Sequence, residues 1–136
     1  MKKFALFLLF TLYSSTLLAV PARVDYIIDG DTFGATVMMK DDIKIEVRVR
    51  ILDIDAPEMK GECEKEIKWA HRATERLKEL LPIGSVVELD RLKDDKYQGR
   101  IDATVKTESG KDVSKIMLKE NLARPYGGGK RQGWCD

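Results

Sequence analysis

The 136-residue chain carries 24 basic and 23 acidic residues, a formal net charge of +1 at pH 7. Setting aside the N-terminal segment with Lys2 and Lys3 leaves 22 basic against 23 acidic residues, a net of about −1. That balance excludes a domain that holds polyanions by bulk attraction, and the length excludes more than one modest hydrophobic core.

Lys2 and Lys3 precede an uncharged, apolar run from Phe4 to Val20 that ends at Pro21-Ala22-Arg23, the layout of a secretory signal peptide. The run is short for a spanning helix and is interrupted by Thr11, Ser14, Ser15 and Thr16, so a cleaved leader is expected rather than a retained anchor. Residues 1–22 are assigned to the leader, with cleavage after Ala19 or Ala22, and residues 23–136 to one exported domain, periplasmic or secreted. Cys63 and Cys135 are the two cysteines. On an exported chain they read as a disulfide, whereas zinc binding lacks a ligand set in a sequence with one His.

Arg23–Ile28 and Thr32–Met39 read as strands joined across Asp29-Gly30-Asp31. From Ile43 to Ile51 the chain alternates strictly. Ile43, Ile45, Val47, Val49 and Ile51 share one face, and Lys44, Glu46, Arg48 and Arg50 share the other, which predicts a half-buried strand. Pro57 ends it. Glu64–Leu81 reads as an amphipathic helix with Ile67, Ala70, Ala73, Leu77, Leu80 and Leu81 on one stripe, stopped by Pro82 and Gly84. Ser85–Leu89 and Arg100–Val105 then pair around a charged tip containing Asp94, Asp95, Lys96 and Tyr97. Arg100 shares the polar side of its strand with Asp102 and Thr104. A short helix follows from about Asp112, its candidate N-cap, to Glu120, with Asn121 as the stop. Beyond Pro125 an irregular tail runs through Gly127-Gly128-Gly129 and Lys130-Arg131 to Trp134 and Cys135, where the disulfide is expected to pin it. Together these elements suggest an α+β fold, mainly β: a small antiparallel barrel of oligonucleotide-binding type with one inserted helix and a short C-terminal helix.

Asp29 and Asp31 stand two residues apart at a turn, and Asp53 and Asp55 repeat that spacing. In extended chain each pair lies on one side. With one His, the donors on offer are hard oxygens, suited to a divalent cation such as Ca²⁺. Taken singly these are turn-forming aspartates, but two pairs with Glu58 beside them point to a metal or catalytic site. Glu58, in a loop after Pro57, suits a general base, and its plainer reading is an acid that opens the next helix. Arg50 and Arg100 offer guanidinium forks to the charge of a phosphoryl transition state, although either alone reads as a solvated strand residue. The combination outlines a metal-assisted phosphodiester site. The rival reading is a barrel that binds oligonucleotides or a protein partner without cleavage, which has no need of Asp31, Asp55, Glu58, Arg50 and Arg100 together. His71 and Trp69 lie on the helix and receive structural readings.

Asp29-Gly30-Asp31-Thr32, Arg50 with Asp55-Ala56-Pro57-Glu58, Asp95-Lys96-Tyr97 with Gly99-Arg100, and Asn121-Leu122-Ala123 resemble the staphylococcal nuclease (thermonuclease) family. They do so in order over nearly all of residues 23–136. The resemblance implies a five-stranded barrel and Ca²⁺-dependent hydrolysis of DNA and RNA that leaves 3′-phosphate ends. Position by position, it implies that Asp31 and Asp55 ligate Ca²⁺ directly, that Ala56 offers its carbonyl, and that Asp29 acts through water. Glu58 matches the general base, Arg50 and Arg100 the arginines on the scissile phosphate, and Lys96 and Tyr97 residues around a terminal phosphate. A monomer is expected, with no stable membrane insertion after leader cleavage. Four departures stand out. Ala56 replaces a Thr, Gln98 is inserted between Tyr97 and Gly99, and the aromatic pair after Leu122-Ala123 is reduced to Tyr126, near the matching position. The long C-terminal helix is missing, its packing expected to pass to Trp134 and a Cys63–Cys135 bridge.

Overall fold

The computed structural model describes residues 19–136, so the expected leader lies outside the described residues except for its last four positions. Five strands, β1 (Val20–Ile27), β2 (Thr32–Met38), β3 (Lys44–Ile51), β5 (Val86–Asp94) and β6 (Arg100–Lys106), close a barrel in the order β1-β2-β3-β6-β5. A two-residue strand β4 (Ile54–Asp55) pairs outside it with β7 (Arg124–Pro125). Helix α1 (Glu64–Leu80) is inserted between β4 and β5, and helix α2 (Val113–Lys119) follows β6. Among the described residues no helix is long and apolar enough to cross a membrane.

The barrel is mixed rather than antiparallel throughout, because β3 and β6 run parallel, with Arg48 opposite Arg100 and Arg50 opposite Asp102. The reason is parity. Neighbours in a closed ring of five strands cannot all alternate in direction, so one pair at least must be parallel. The pair that breaks the alternation is joined by the long passage through α1 and β5, as parallel neighbours require.

β1 starts at Val20, earlier than Arg23, and its first residues pair Val20 with Leu89 and Ala22 with Val87. Ala22 is fully buried. The alternation in β3 marks its faces, but only its second half is inside: Val49 and Ile51 are buried, whereas Ile43 and Ile45 are exposed. Residues Lys44–Val47 pair with β2 alone, and the β6 ladder begins only at Arg48. Ala70, Ala73 and Leu77 form the buried stripe of α1, joined by Thr74, Glu66 and the C-cap Leu81, while Ile67 and Leu80 stay half-buried. The Asp112 carboxylate caps α2 by accepting from the Lys115 N–H, a contact worth about 1 kcal/mol. Phe33, Val49, Ile51, Leu89 and Val105 from the barrel, Leu77 from α1 and Met117 from α2 share one core.

Candidate active site

Turns at one end of the barrel bring the acids and arginines together. Asp31 is buried at the start of β2, and both its carboxylate oxygens are fixed. Oδ1 accepts from the Thr32 hydroxyl at 2.8 Å and Oδ2 from the Ala56 N–H at 2.9 Å. Asp55 is buried on β4, held by its ladder position opposite Arg124. The Arg50 guanidinium reaches both acids, 3.7 Å from Asp31 and 3.6 Å from Asp55. The turn before β2 can lie this close to β4 and α1 because Gly30 has no side chain: a Cβ there would stand 2.7 Å from the Ala73 Cβ and 2.9 Å from that of Ala56.

Asp31 and Arg50 line an open cleft of about 470 Å³ together with Asp29, Glu58, Arg100, Lys96, Tyr97, Tyr126 and Arg131, and Asp55 borders it through its pairs with Arg50 and Arg131. Asp29 accepts from the Asp31 N–H at 3.0 Å, and its carboxyl is pushed up to about 7, first by burial and then by the Asp31 charge beside it. Burial, helped by the Asp31 charge, likewise raises Asp55 against the lowering effects of the Arg131 hydrogen bond and the charges of Arg131 and Arg50. Arg100 makes an ion pair with Asp95 at 3.0 Å and lies over the Tyr97 ring at 4.4 Å. With Gln98 in place, the tip therefore still folds against Arg100, and Lys96 approaches the same Tyr97 ring, 5.2 Å from its centre. The Tyr126 ring lies 5.4 Å from Arg50.

Asp53 departs from the expectation that it shares a side with Asp55. Its φ of 72° turns the chain there, and it pairs with Arg91 at 2.7 Å.

Two further features were not among the expected site residues. Arg131 reaches back from the tail to the cleft, with Nε 2.8 Å from Asp55 Oδ1, one terminal nitrogen 2.5 Å from Glu58 and the other 3.3 Å from the Ala56 carbonyl. Asp102, on β6 opposite Arg50, shares its surroundings with Asp95. Burial and then the Asp95 carboxyl push Asp102 up to about 6, whereas Asp95 falls to about 2, burial being outweighed by hydrogen bonds from Asp102, the Tyr97 N–H and Arg100. One signal for Arg131 was present, since a basic pair lies in a short segment pinned at Cys135, but spacing cannot show where such a segment folds.

Among the described residues no group of three or more His, Cys, Asp or Glu side chains is gathered as a metal site. The donor set here is smaller, two carboxylates and one backbone carbonyl. Its chemistry fits a hard cation nonetheless: all three donors are oxygens, and all three already face positive charge, from Arg50 and Arg131. Among protein-family models, the staphylococcal nuclease homologue domain matches residues 48–132, more than half the chain. The chain belongs to the staphylococcal nuclease family. No curated protein matches it. Within this nuclease fold the matched span carries Arg50, Asp55, Glu58, Arg100 and Arg131, and the barrel adds Asp29 and Asp31 from outside it. The Cys63–Cys135 disulfide, compatible with an extracellular location, ties the N-cap of α1 to the tail. There the buried Trp134 meets Trp69 edge-on, centroids 4.8 Å apart.

Proposed function

We propose that this nuclease-family chain is an exported, Ca²⁺-dependent phosphodiesterase that hydrolyses DNA and RNA and leaves 3′-phosphate ends. The observation that carries the reading is the convergence of Asp31, the loop carboxylate Glu58 and two arginines from separate elements on one cleft, with Asp55 paired to Arg50 at its border. Asp31, Asp55 and the Ala56 carbonyl would hold the cation, with Asp29 acting through water. When bound, the cation supplies charge neutralisation and orientation of a phosphate oxygen. Glu58 takes a proton from the attacking water. As the P–O bond to the 5′ oxygen breaks, that oxygen takes up a proton from solvent and the phosphate stays on the 3′ side. Arg50 and Arg100 receive the charge that develops on the phosphoryl oxygens, through forks that match them. Lys96, Tyr97 and Tyr126 flank the cleft where a nucleotide would lie.

Of the two cleavage points for the leader, Ala19 keeps β1 whole, whereas Ala22 would remove three paired residues, one of them in the core. The mature chain is therefore assigned to begin at Val20, which N-terminal sequencing of the exported protein checks.

Hydrolysis of single-stranded DNA by the mature domain is expected with Ca²⁺ and lost with chelator. In Glu58→Gln it is expected to fall by about 10²-fold or more, the loss of a general base. A folded domain that binds DNA without cutting it in any of these conditions would make the chain a binding barrel.

A further inference from the structure

We propose that Arg131 is a built-in competitor for the cation: a strap formed by the C-terminal tail seats its guanidinium on the donor set, and cation binding must displace it. The inference rests on the cation reading of Asp31, Asp55 and Ala56 given above. One guanidinium fork covers Asp55 Oδ1 at 2.8 Å, the Ala56 carbonyl at 3.3 Å and Glu58 at 2.5 Å. It thus engages two of the three cation donors and the general base at once, using donors on three separate nitrogens in a planar fork, where an ammonium has only one nitrogen.

The seat is built. The tail is fastened before Arg131 by the β4–β7 ladder and by the Tyr126 N–H donating to the Asp53 carbonyl at 2.9 Å. After Arg131 it is fastened by the buried Trp134 and the disulfide to Cys63, and by Arg124 donating to the Gly133 carbonyl. Between these points Gly128 and Gly129, with φ of 103° and 82°, turn the chain back, and the Tyr126 hydroxyl closes the turn on the Gly129 carbonyl at 2.6 Å. An arginine of this exposure on a free tail would gain little from an ion pair. Fastening at both ends removes much of the entropy that a long side chain on a free tail would lose, and so favours the seated state.

The consequence is a tax on cation affinity. If the strap is seated nine-tenths of the time, the apparent dissociation constant is raised about 10-fold over that of the open site. Because the two occupy the same donors, the exclusion is reciprocal, and a bound cation releases the strap.

The test is calorimetric titration of Ca²⁺ into the disulfide-bonded mature chain, comparing wild type, Arg131→Gln and Arg131→Lys, each checked for folding by circular dichroism. Arg131→Gln is expected to bind Ca²⁺ about 10-fold more tightly and Arg131→Lys to fall between, so either variant alone decides the matter if the other fails to fold. Equal or weaker Ca²⁺ binding in the folded variants would overturn the competitor role while leaving the cation site standing. A lowered affinity for an oligonucleotide at unchanged Ca²⁺ affinity would also overturn it, and would make Arg131 a phosphate contact. Ca²⁺ binding by none of the three proteins would overturn the cation reading, and the competitor with it.

Discussion

Asp102 sits on β6 opposite Arg50, two residues from Arg100 and beside the Asp95 carboxyl. The two arginines favour its charge, but burial and Asp95 oppose it more, and the carboxyl rises from the usual 3.8 to about 6. Between those values the folded protein binds more protons than the unfolded chain. The contribution of Asp102 to stability is therefore complete below about pH 4 and is lost as pH rises through about 6. Asp102→Asn removes this dependence, so its stability relative to wild type is expected to increase from pH 4 to pH 7 in urea unfolding. A relative decrease would mean that the arginines hold the ionised form better than burial penalises it. At this scale the acids and arginines of the cleft were legible because each stands at a turn or a strand end, where residue type is informative. The Asp95–Asp102 pair was not, since it joins residues across a tip whose fold the spacing leaves open. Arg131 was hidden for the same reason, being 76 residues from the Asp55 it touches.

Three segments meet at Gly30: the β1–β2 turn, Ala56 just after β4, and α1 with Ala73. The helix can press against the acid-bearing turn only because a hydrogen fills the gap. Gly30→Ala is expected to cost about 1–3 kcal/mol by overpacking, and to loosen the Ala56 N–H bond that orients Asp31. Ala73→Gly clears one of the two contacts, although it costs about 1 kcal/mol of helix propensity by itself. A double-mutant cycle in urea should therefore show favourable coupling of at least about 0.5 kcal/mol between the two changes. Coupling near zero would place the strain of Gly30→Ala against Ala56 alone. Most of these elements were legible. Alternation located β3, periodicity located α1, and Asp112 announced α2. Strand direction was not written in any one strand. An antiparallel closed ring of five strands contradicts itself by parity, and the parallel β3–β6 pair is what sets Arg50 opposite Asp102 and near Arg100. Nor could alternation show where burial stops along β3, because Ile43 and Ile45 keep the pattern on a part of the strand that β6 does not reach.

At the scale of the whole molecule, the tail is held by two large contributions and several small ones. Burying an indole of 150–250 Å² at about 25 cal/mol per Å² is worth about 4–6 kcal/mol as an upper bound. A bridge between residues separated by 72 positions adds about 4 kcal/mol on the chain-entropy scale. The ion pairs of Arg131 are minor beside these. The barrel core draws on the five strands and two helices, and Trp134 packs outside it against Trp69. Tail docking and barrel folding should therefore be separable once the bridge is removed. The two tryptophans of the chain both stand at the docked tail, so indole fluorescence reports docking while far-ultraviolet circular dichroism reports the barrel and helices. In wild type the two signals are expected to change together on urea unfolding, because the bridge keeps Trp134 on α1 until the helix itself unfolds. In Cys63→Ser/Cys135→Ser the barrel should lose about 2–4 kcal/mol, and fluorescence should shift at lower urea than circular dichroism. Coincident transitions in the double variant would show that the β4–β7 ladder, which also positions Asp55, binds the tail into the cooperative unit without help from sulfur. In that case the strap that carries Arg131 is part of the fold rather than an addition to it.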